Sequence, residues 1–191
     1  MKHLLLSLLL TASAVAQGSV TLEKFYGETC DQAYNRLSTA IDANYRAGVE
    51  HLNAYYERLM EVARANKRSC EEGAKARRDE KVTEILENLT LEATNLLAQV
   101  QAREISYDEY TTKLAQLNID AKDDIDSAMM AYRLEIGQYG NIRLAEGDCN
   151  HTFQTTKAEI EAARLNALQA AEDAYHAQLR DLYLWRRNCA G

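Results

Sequence analysis

The sequence contains no proline, and this absence constrains the fold more than any other single feature. Average proline usage of about 5% would place roughly nine prolines in a chain of this length. Glycine, the other residue that interrupts regular structure, occurs only 8 times among the 191 residues. Sandwiches and barrels need many turns, which are built largely from Gly, Pro, Asn and Asp. The composition therefore predicts an all-α fold made of a few long helices with few connections.

The first sixteen residues have the pattern of a secretory signal peptide. Lys2 and His3 form a basic start, residues 4–10 are nearly all leucine, and residues 14–16 read Ala-Val-Ala, a small-x-small cleavage site. The apolar run is too short to span a bilayer, and a buried N-terminal core helix is the alternative interpretation. We therefore expect residues 1–16 to be removed, leaving residues 17–191 as a single domain that is secreted and extracellular.

Apolar residues recur at steps of three and four along most of the remaining chain, which predicts four helices. The first spans about residues 29–70, where Thr29 and Gln32 have the spacing of a capping box, and the second spans about residues 74–104. Gly73 is the predicted break between these two helices. Ser106 and Glu109 form a second capping box that opens the third helix, which Gly137 and Gly140 end. The fourth helix spans about residues 150–188.

Short connections make neighbouring helices antiparallel, so the expected architecture is an up-down-up-down antiparallel four-helix bundle of long, coiled-coil-like helices. In this arrangement Cys70 and Cys149 lie at one end of the bundle, and Cys30 and Cys189 lie at the other. The cysteines are the only four in the chain, and an even number in an exported protein indicates disulfides.

The spacing of the four cysteines selects one pairing among the three that are possible. Cys70 lies 40 positions after Cys30, and Cys189 lies 40 positions after Cys149. A continuous helix of that length is about 60 Å long, whereas a disulfide needs Cα atoms within about 7 Å. We therefore predict Cys30–Cys189 and Cys70–Cys149, with residue i of the first helix facing residue 219 − i of the fourth.

Net charge and sequons define the expected environment of the chain. The formal net charge is −7, which argues against nucleic acid or an anionic membrane surface as the main partner. No later segment is apolar enough for a membrane span. Asn88-Leu89-Thr90 and Asn150-His151-Thr152 are sequons, so Asn88 and Asn150 are predicted glycosylation sites and the product is expected to be a glycoprotein.

The sequence contains no recognisable catalytic constellation. It has no Gly-rich phosphate loop and no Gly-x-Ser-x-Gly elbow, and the predicted disulfides leave no cysteine free as a nucleophile. The histidines do not converge in the predicted register, and the Glu-x-x-His pairs of a di-iron bundle are missing. Asp120, Asp123, Asp124 and Asp126 fall within a helical pattern and indicate a solvated face rather than a calcium loop. We expect no enzymatic activity, no cofactor and no metal site.

Basic residues crowd the predicted first turn, and two interpretations remain open for them. They can be a solvated surface, partly neutralised by neighbouring carboxylates, or an interaction patch for an acidic partner. The residues of this candidate patch are Arg64, Lys67, Arg68, Arg77 and Arg78.

Tyrosine is unusually frequent, with 11 residues against 2 phenylalanines. Several tyrosines, among them Tyr45, Tyr55 and Tyr175, fall on the apolar stripes. A buried tyrosine hydroxyl needs a hydrogen-bond partner. These rings can therefore pack at the edge of the core, or they can line a polar cavity that holds a small amphipathic ligand.

The sequence indicates a secreted, non-enzymatic helical-bundle protein that acts by binding or as an extracellular structural component. The alternative function is an extracellular carrier of a small hydrophobic or amphipathic ligand held between the helices. The expected partner is thus an unidentified protein or a small hydrophobic ligand, and the sequence leaves the oligomeric state open.

Overall fold

The computed structural model describes residues 19–138 and 147–189, and this part of the chain contains three α-helices. Helix α1 spans Cys30–Gln101, α2 spans Tyr107–Ile136 and α3 spans Cys149–Cys189. Helices account for 88% of the described residues, which include no strand. The predicted all-α class is therefore confirmed. The predicted signal peptide at residues 1–16 and the predicted helix end at Gly140 lie outside the described residues.

The predicted four-helix bundle is wrong, because α1 runs through Gly73 without a break. The two helices predicted over residues 29–70 and 74–104 are one helix. A glycine within a helix costs only about 1 kcal/mol relative to alanine, which is too little to end a helix whose flanking residues favour it. Ala74, the next residue, is 1% exposed, so packing also holds this turn in place. The up-down-up-down order therefore fails at its first turn.

The predicted local signals at the helix ends are present. The backbone N–H of Thr29 donates to Gln32 Oε1 (2.9 Å), and that of Gln32 donates to Thr29 Oγ1 (3.2 Å), which completes the first capping box. Ser106 caps α2 by accepting from the N–H of Glu109 (3.2 Å). Gly137 ends α2 in the left-handed conformation, with φ of 74°. These ends depend on contacts within a few residues, which is why the sequence pattern predicts them correctly.

Contacts divide the chain into two compact units, which we describe separately. Of the described residues, unit 1 contains 19–62 and 156–189, and unit 2 contains 63–138 and 147–155. The assignment of residues 17–191 to a single domain stays a prediction.

Unit 1 is an antiparallel pair formed by the first part of α1 and most of α3. The disulfide Cys30–Cys189 joins its ends, with Cα atoms 6.0 Å apart. Further along, Tyr56 Oη donates to the carbonyl of Ala163 (3.2 Å) and Arg164 Nη2 donates to Asn53 Oδ1 (2.8 Å). These partners agree, to within two positions, with the predicted register in which residue i faces residue 219 − i.

The core of unit 1 is centred on Leu37, Ile41 and Leu182, which are fully buried. Val20 and Leu22, from the segment before α1, pack against this cluster. The half-buried residues Tyr34, Tyr175, Leu179 and Trp185 complete it. The segment is also held by Arg36, which donates to the carbonyl of Glu23 (2.8 Å) and to the carboxylate of Glu28 (3.0 Å).

Unit 2 is an antiparallel hairpin formed by the second part of α1 and by α2, with residues 102–106 as the connection. The disulfide Cys70–Cys149 joins α1 to the first residue of α3, with Cα atoms 5.7 Å apart. Ala74, Ile136 and Cys149 form a buried cluster beside this bridge. Both predicted disulfide pairings are therefore confirmed. The pairings are correct although the break at Gly73 is not, because they depend only on the antiparallel arrangement of residues 30–70 and 149–189.

The end of α2 packs against the start of α3 within unit 2. Asp148, 5% exposed, caps α3 by accepting a hydrogen bond from the N–H of His151 to its Oδ1 (2.6 Å). A Cβ atom on Gly137 would lie 2.6 Å from that Oδ1 and 2.9 Å from the Cβ of Asn150. Gly137 is thus required both by its left-handed backbone and by the close approach of the capping residue.

Replacing Gly73 with alanine tests the continuity of α1. We expect Gly73→Ala to raise the free energy of unfolding by about 0.5–1 kcal/mol, because alanine favours a helix interior. The added Cβ meets nothing closer than Arg77 Nη1 at 3.5 Å, an ordinary contact. Urea unfolding followed by far-UV circular dichroism measures the change. A loss of stability would show that the chain turns at Gly73.

Replacing Gly137 with alanine tests the junction between α2 and α3. Gly27 has a similar φ of 80° with nothing within 4 Å of an added Cβ, so Gly27→Ala serves as the matched control. We expect Gly27→Ala to cost about 1–2 kcal/mol from the backbone alone. Gly137→Ala should cost about 2–5 kcal/mol because it also displaces Asp148. Equal losses in the two variants, measured by urea unfolding, would contradict the close contact.

Candidate functional site

The predicted basic patch is distributed along α1 rather than gathered at a turn. Because α1 continues through Gly73, the residues from Arg64 to Arg78 extend over about 21 Å of helix. Arg77 forms an ion pair with Glu135 of α2. Arg78 donates to Asp79 (2.8 Å), and its guanidinium lies 4.6 Å from the centre of the Tyr132 ring.

Of the other three members of the patch, one has partners and two are exposed. Lys67 Nζ lies 3.6 Å from Glu71 and 5.3 Å from the centre of the Phe153 ring. Arg64 and Arg68 are exposed and lie one turn apart on α1. Much of the positive charge therefore has partners within unit 2, and a binding role for these five residues stays a prediction.

The acidic stretch and the histidines form no metal centre in the described residues. Asp120, Asp123, Asp124 and Asp126 are all exposed on α2, and Asp120 accepts from Gln116 Nε2 (2.8 Å). Across residues 19–138 and 147–189, no three His, Cys, Asp or Glu side chains lie close enough to hold a metal ion.

Two tyrosines of unit 1, Tyr56 and Tyr175, pack between α1 and α3 with their hydroxyls bonded inside the protein. Tyr45 and Tyr175 stack with ring centres 4.5 Å apart, and Tyr175 Oη donates to Asp42 Oδ1 (2.7 Å). Tyr56 is 2% exposed and contacts Tyr55 edge-on. Tyr45, Tyr55 and Tyr175 are half-buried, which agrees with the first of the two interpretations, packing at the edge of the core.

One face of the hairpin in unit 2, which we call the polar face, carries a shallow groove of about 360 Å³. Its polar lining is Glu92, Asn95 and Gln99 from α1 with Lys113, Gln116 and Asp120 from α2. The sequon residue Asn88 lies one helical turn before Glu92 and is exposed, so it belongs to the same face.

The opposite face of the hairpin is apolar. Leu97 lies two residues from both Asn95 and Gln99, and Leu86 lies two residues from Asn88, which places each leucine about 200° around the helix from the polar face. On α2, Ile125 lies nine residues after Gln116, and Met129 lies nine residues after Asp120. Nine residues are two and a half helical turns, so Ile125 and Met129 lie on the side of α2 opposite the polar face. We call this surface the apolar face and define it by Val82, Leu86, Leu89, Ala93, Leu97 and Val100 of α1 with Ile125 and Met129 of α2.

The apolar face is only partly covered by the hairpin itself. Leu86 and Leu97 are each 46% exposed, and the remaining members are half-buried. Ile85, by contrast, is 8% exposed, and its position on α1 lies between the polar and the apolar face. A two-helix contact buries one narrow stripe on each helix, and the leucines one position beyond Ile85 and Leu96 fall outside it.

Sequence reasoning missed this surface because a four-helix bundle would have covered it. The signal was present, since the leucines that follow Ile85 and Leu96 widen the apolar stripe beyond what one neighbouring helix needs. Only the structure, with two helices in the hairpin, shows that no neighbouring helix of unit 2 covers these side chains.

The two predicted glycosylation sites have different surroundings. Asn88 is exposed on the polar face. Asn150 is half-buried in the first turn of α3, where it packs beside Gly137. Glycosylation at either residue stays a prediction, and the geometry leaves more room for a glycan at Asn88.

Two tyrosines give unit 1 a testable pH dependence. A hydrogen bond to Asp42 raises the pKa of Tyr175, and burial raises the pKa of Tyr56 with a smaller contribution from neighbouring Tyr55. Because the folded chain holds both protons more tightly than the unfolded chain, their contribution to stability is complete below the unfolded pKa of about 10 and is lost as the pH rises through the folded values.

Alkaline titration followed by tyrosinate absorbance measures this effect. We expect two late-ionising phenols, one missing from Tyr56→Phe and the other from Tyr175→Phe. The control Tyr183→Phe removes an exposed tyrosine and should leave both late phenols in place. An unchanged late phase in either test variant would contradict the assignment.

Known proteins and membrane-spanning patterns give no information on the function of this chain. No described helix is both long enough and apolar enough to cross a membrane. No protein-family model matches the chain, and no curated protein or solved structure matches it. The function is therefore inferred from the geometry of the two units.

Proposed function

We propose that the protein is secreted and acts outside the cell without catalysing a reaction, by binding a macromolecular partner or as a structural component. Three features support this proposal. The N-terminal sixteen residues have the pattern of a signal peptide. Disulfides such as Cys30–Cys189 and Cys70–Cys149 persist in oxidising compartments. The chain also presents an uncovered apolar face on a helical hairpin.

The apolar face is the single observation that carries a binding role. Contiguous apolar patches on soluble proteins, especially those with a polar rim, mark sites of interaction. Here exposed leucines, Leu86 and Leu97, lie within a row of half-buried aliphatic residues on α1. The exposed Lys75 lies at one end of this row, and the exposed Lys122 lies beside Ile125 and Met129 on α2.

The hairpin is well suited to present such a surface without reorganising. The capping hydrogen bond of Ser106 fixes the start of α2, and the Gly137 cap fixes its end. The bridge Cys70–Cys149 holds α1 against the start of α3 within the same unit. A surface that is ordered before binding avoids the entropic cost of ordering during binding.

Glycosylation, if it occurs at Asn88, is compatible with this role. Asn88 lies on the polar face, about 200° around α1 from Leu86. A glycan there would extend away from the apolar face and would leave it accessible.

The carrier function is the alternative, and one surface feature of unit 1 bears on it. A groove of about 470 Å³ is lined by α3 residues that include Leu179, Tyr183 and Leu184, with His176 and Arg180 at its polar part. Small-ligand sites combine an apolar lining with a few polar groups, but they also enclose most of the ligand, whereas this groove is open and is formed by α3 alone. Native mass spectrometry of the protein from its source supports this alternative if a small molecule is bound at one per chain.

The binding proposal is tested by adding the tagged full chain to extracellular fluid of its source and mapping cross-links by mass spectrometry. We expect cross-links to macromolecules from Lys75 and Lys122, beside the apolar face. Leu86→Glu/Leu97→Glu should abolish them, because the charges prevent apolar contact. The matched control Asn95→Glu/Gln99→Glu adds the same charge to the polar face and should retain them.

Leu86, Leu97 and Asn95 are exposed and Gln99 is half-buried at the edge of a groove, so we expect the folding stability of both variants to change by no more than about 0.5–1 kcal/mol. Circular dichroism and urea unfolding verify this. Cross-links that persist in Leu86→Glu/Leu97→Glu would contradict the proposed function. So would the absence of the native, untagged protein from the extracellular fluid of its source.

A further inference from the structure

We infer that the apolar face is covered by a second copy of this chain, packed antiparallel so that two hairpins form a four-helix bundle. This inference rests on the proposed function, since it takes the apolar face to be a binding surface. It adds the identity and the orientation of the partner.

The number of helices in the hairpin is the first argument. Two helices bury one stripe each, whereas the apolar positions of α1 in this region extend over a wider arc that includes Leu86 and Leu97. In a four-helix bundle each helix contacts two neighbours, and an arc of this width is buried. A second hairpin laid face to face supplies the two missing helices.

The order of residues along α1 makes the apolar face complementary to itself. A two-fold axis places the same patch on both copies, so residue i meets residue j and residue j meets residue i. About an axis near residue 91, Leu86 of one copy meets Leu97 of the other, and Val82 meets Val100. Leu89 and Ala93 lie between them, so large and small side chains face each other.

Charges at the two ends of the face select the antiparallel orientation. Lys75 lies eleven residues before Leu86, or about three turns, and Arg133 lies one turn after Met129, so both flank the face at the end nearer Cys70. Glu104 and Asp108 lie at the opposite end, beside the turn of the hairpin.

All four of these side chains are exposed. In an antiparallel pair Lys75 and Arg133 of one copy meet Glu104 and Asp108 of the other, whereas in a parallel pair like charges would meet. Asp79, one turn after Lys75, is already paired with Arg78, and the acidic end also includes one exposed cation, Arg103. Opposite charges across an interface fix orientation, and like charges oppose the wrong one. Lys122 and Asp126, between the two ends, have opposite signs and favour neither orientation.

The available area is sufficient for a stable dimer. From Lys75 to Glu104 the face is about 45 Å long, and two packed helices are about 18 Å wide. This whole side of the hairpin, which includes the polar residues Asn118 and Lys122 of α2 beside the apolar face, therefore offers about 800 Å² per copy, which is the standard size for a specific interface. Asn88, on the polar face, would carry its glycan away from this contact.

The inference is tested on the purified full chain, with both disulfides formed, by sedimentation equilibrium across protein and salt concentrations. We expect a dimer whose dissociation constant rises with salt, because the end charges are screened. Leu86→Glu/Leu97→Glu should raise that constant by at least about 100-fold, since four leucines leave the interface. Asn95→Glu/Gln99→Glu should change it by less than about threefold.

A charge exchange tests the orientation. Lys75→Glu should weaken the dimer, and Lys75→Glu/Glu104→Lys should restore it, because the swapped pair still meets in an antiparallel arrangement. Failure to restore the dimer overturns the antiparallel arrangement. Equal weakening by the apolar-face and polar-face variants overturns the assignment of the contact to the apolar face.

A chain that stays monomeric at every concentration overturns the self-association. If that monomer still forms the cross-links to other macromolecules that Leu86→Glu/Leu97→Glu abolishes, the proposed function stands and only the identity of the partner is wrong. If those cross-links are missing as well, both the inference and the proposed function fail.

Discussion

The uninterrupted backbone hydrogen bonding of α1 is the constraint on which the remaining structure depends. This helix runs from Cys30 to Gln101, and each of the two units contains part of it. In unit 1 it packs against α3, and in unit 2 it packs against α2 and the first residues of α3. Had the chain turned at Gly73, the second half of α1 would have been a separate helix, whereas the pairing of α3 with residues 30–70 would have been the same.

A helix paired with only one neighbour has a limited capacity to bury apolar surface. In unit 1 this is offset by the residues before α1, where Val20 and Leu22 cover the cluster around Leu37 and Leu182. In unit 2, part of the apolar surface remains uncovered at Leu86 and Leu97. Because only two helices pack together in the hairpin of unit 2, an apolar surface stays uncovered, and the proposed function rests on this surface. Two disulfides, each typically worth about 2–4 kcal/mol, add stability that small cores supply less readily.

The features that were predictable from sequence depend either on neighbours within a few residues or on a geometric exclusion. Thr29 with Gln32 and Ser106 at the start of α2 act over one turn, and their partners are where the capping pattern places them. The disulfide pairing follows from the length of an unbroken helix, which keeps Cys30 far from Cys70. The continuation of α1 through Gly73 was not predictable in this way, because a glycine costs a helix only a small amount of free energy, which the surrounding residues can offset.

The sequence by itself determined the all-helical class, the helix ends at Thr29, Ser106 and Gly137, and the partners of all four cysteines. A chain without proline has few places to turn, although its sequence also led to a false helix break at Gly73. Only the tertiary structure decided how many helices pack together at Leu86 and Leu97. Apolar spacing shows which side of a helix avoids water, but it does not show how many neighbours arrive to cover that side. In this protein α2 covers part of the stripe on α1, and the leucines one position beyond that contact form the surface left for a partner.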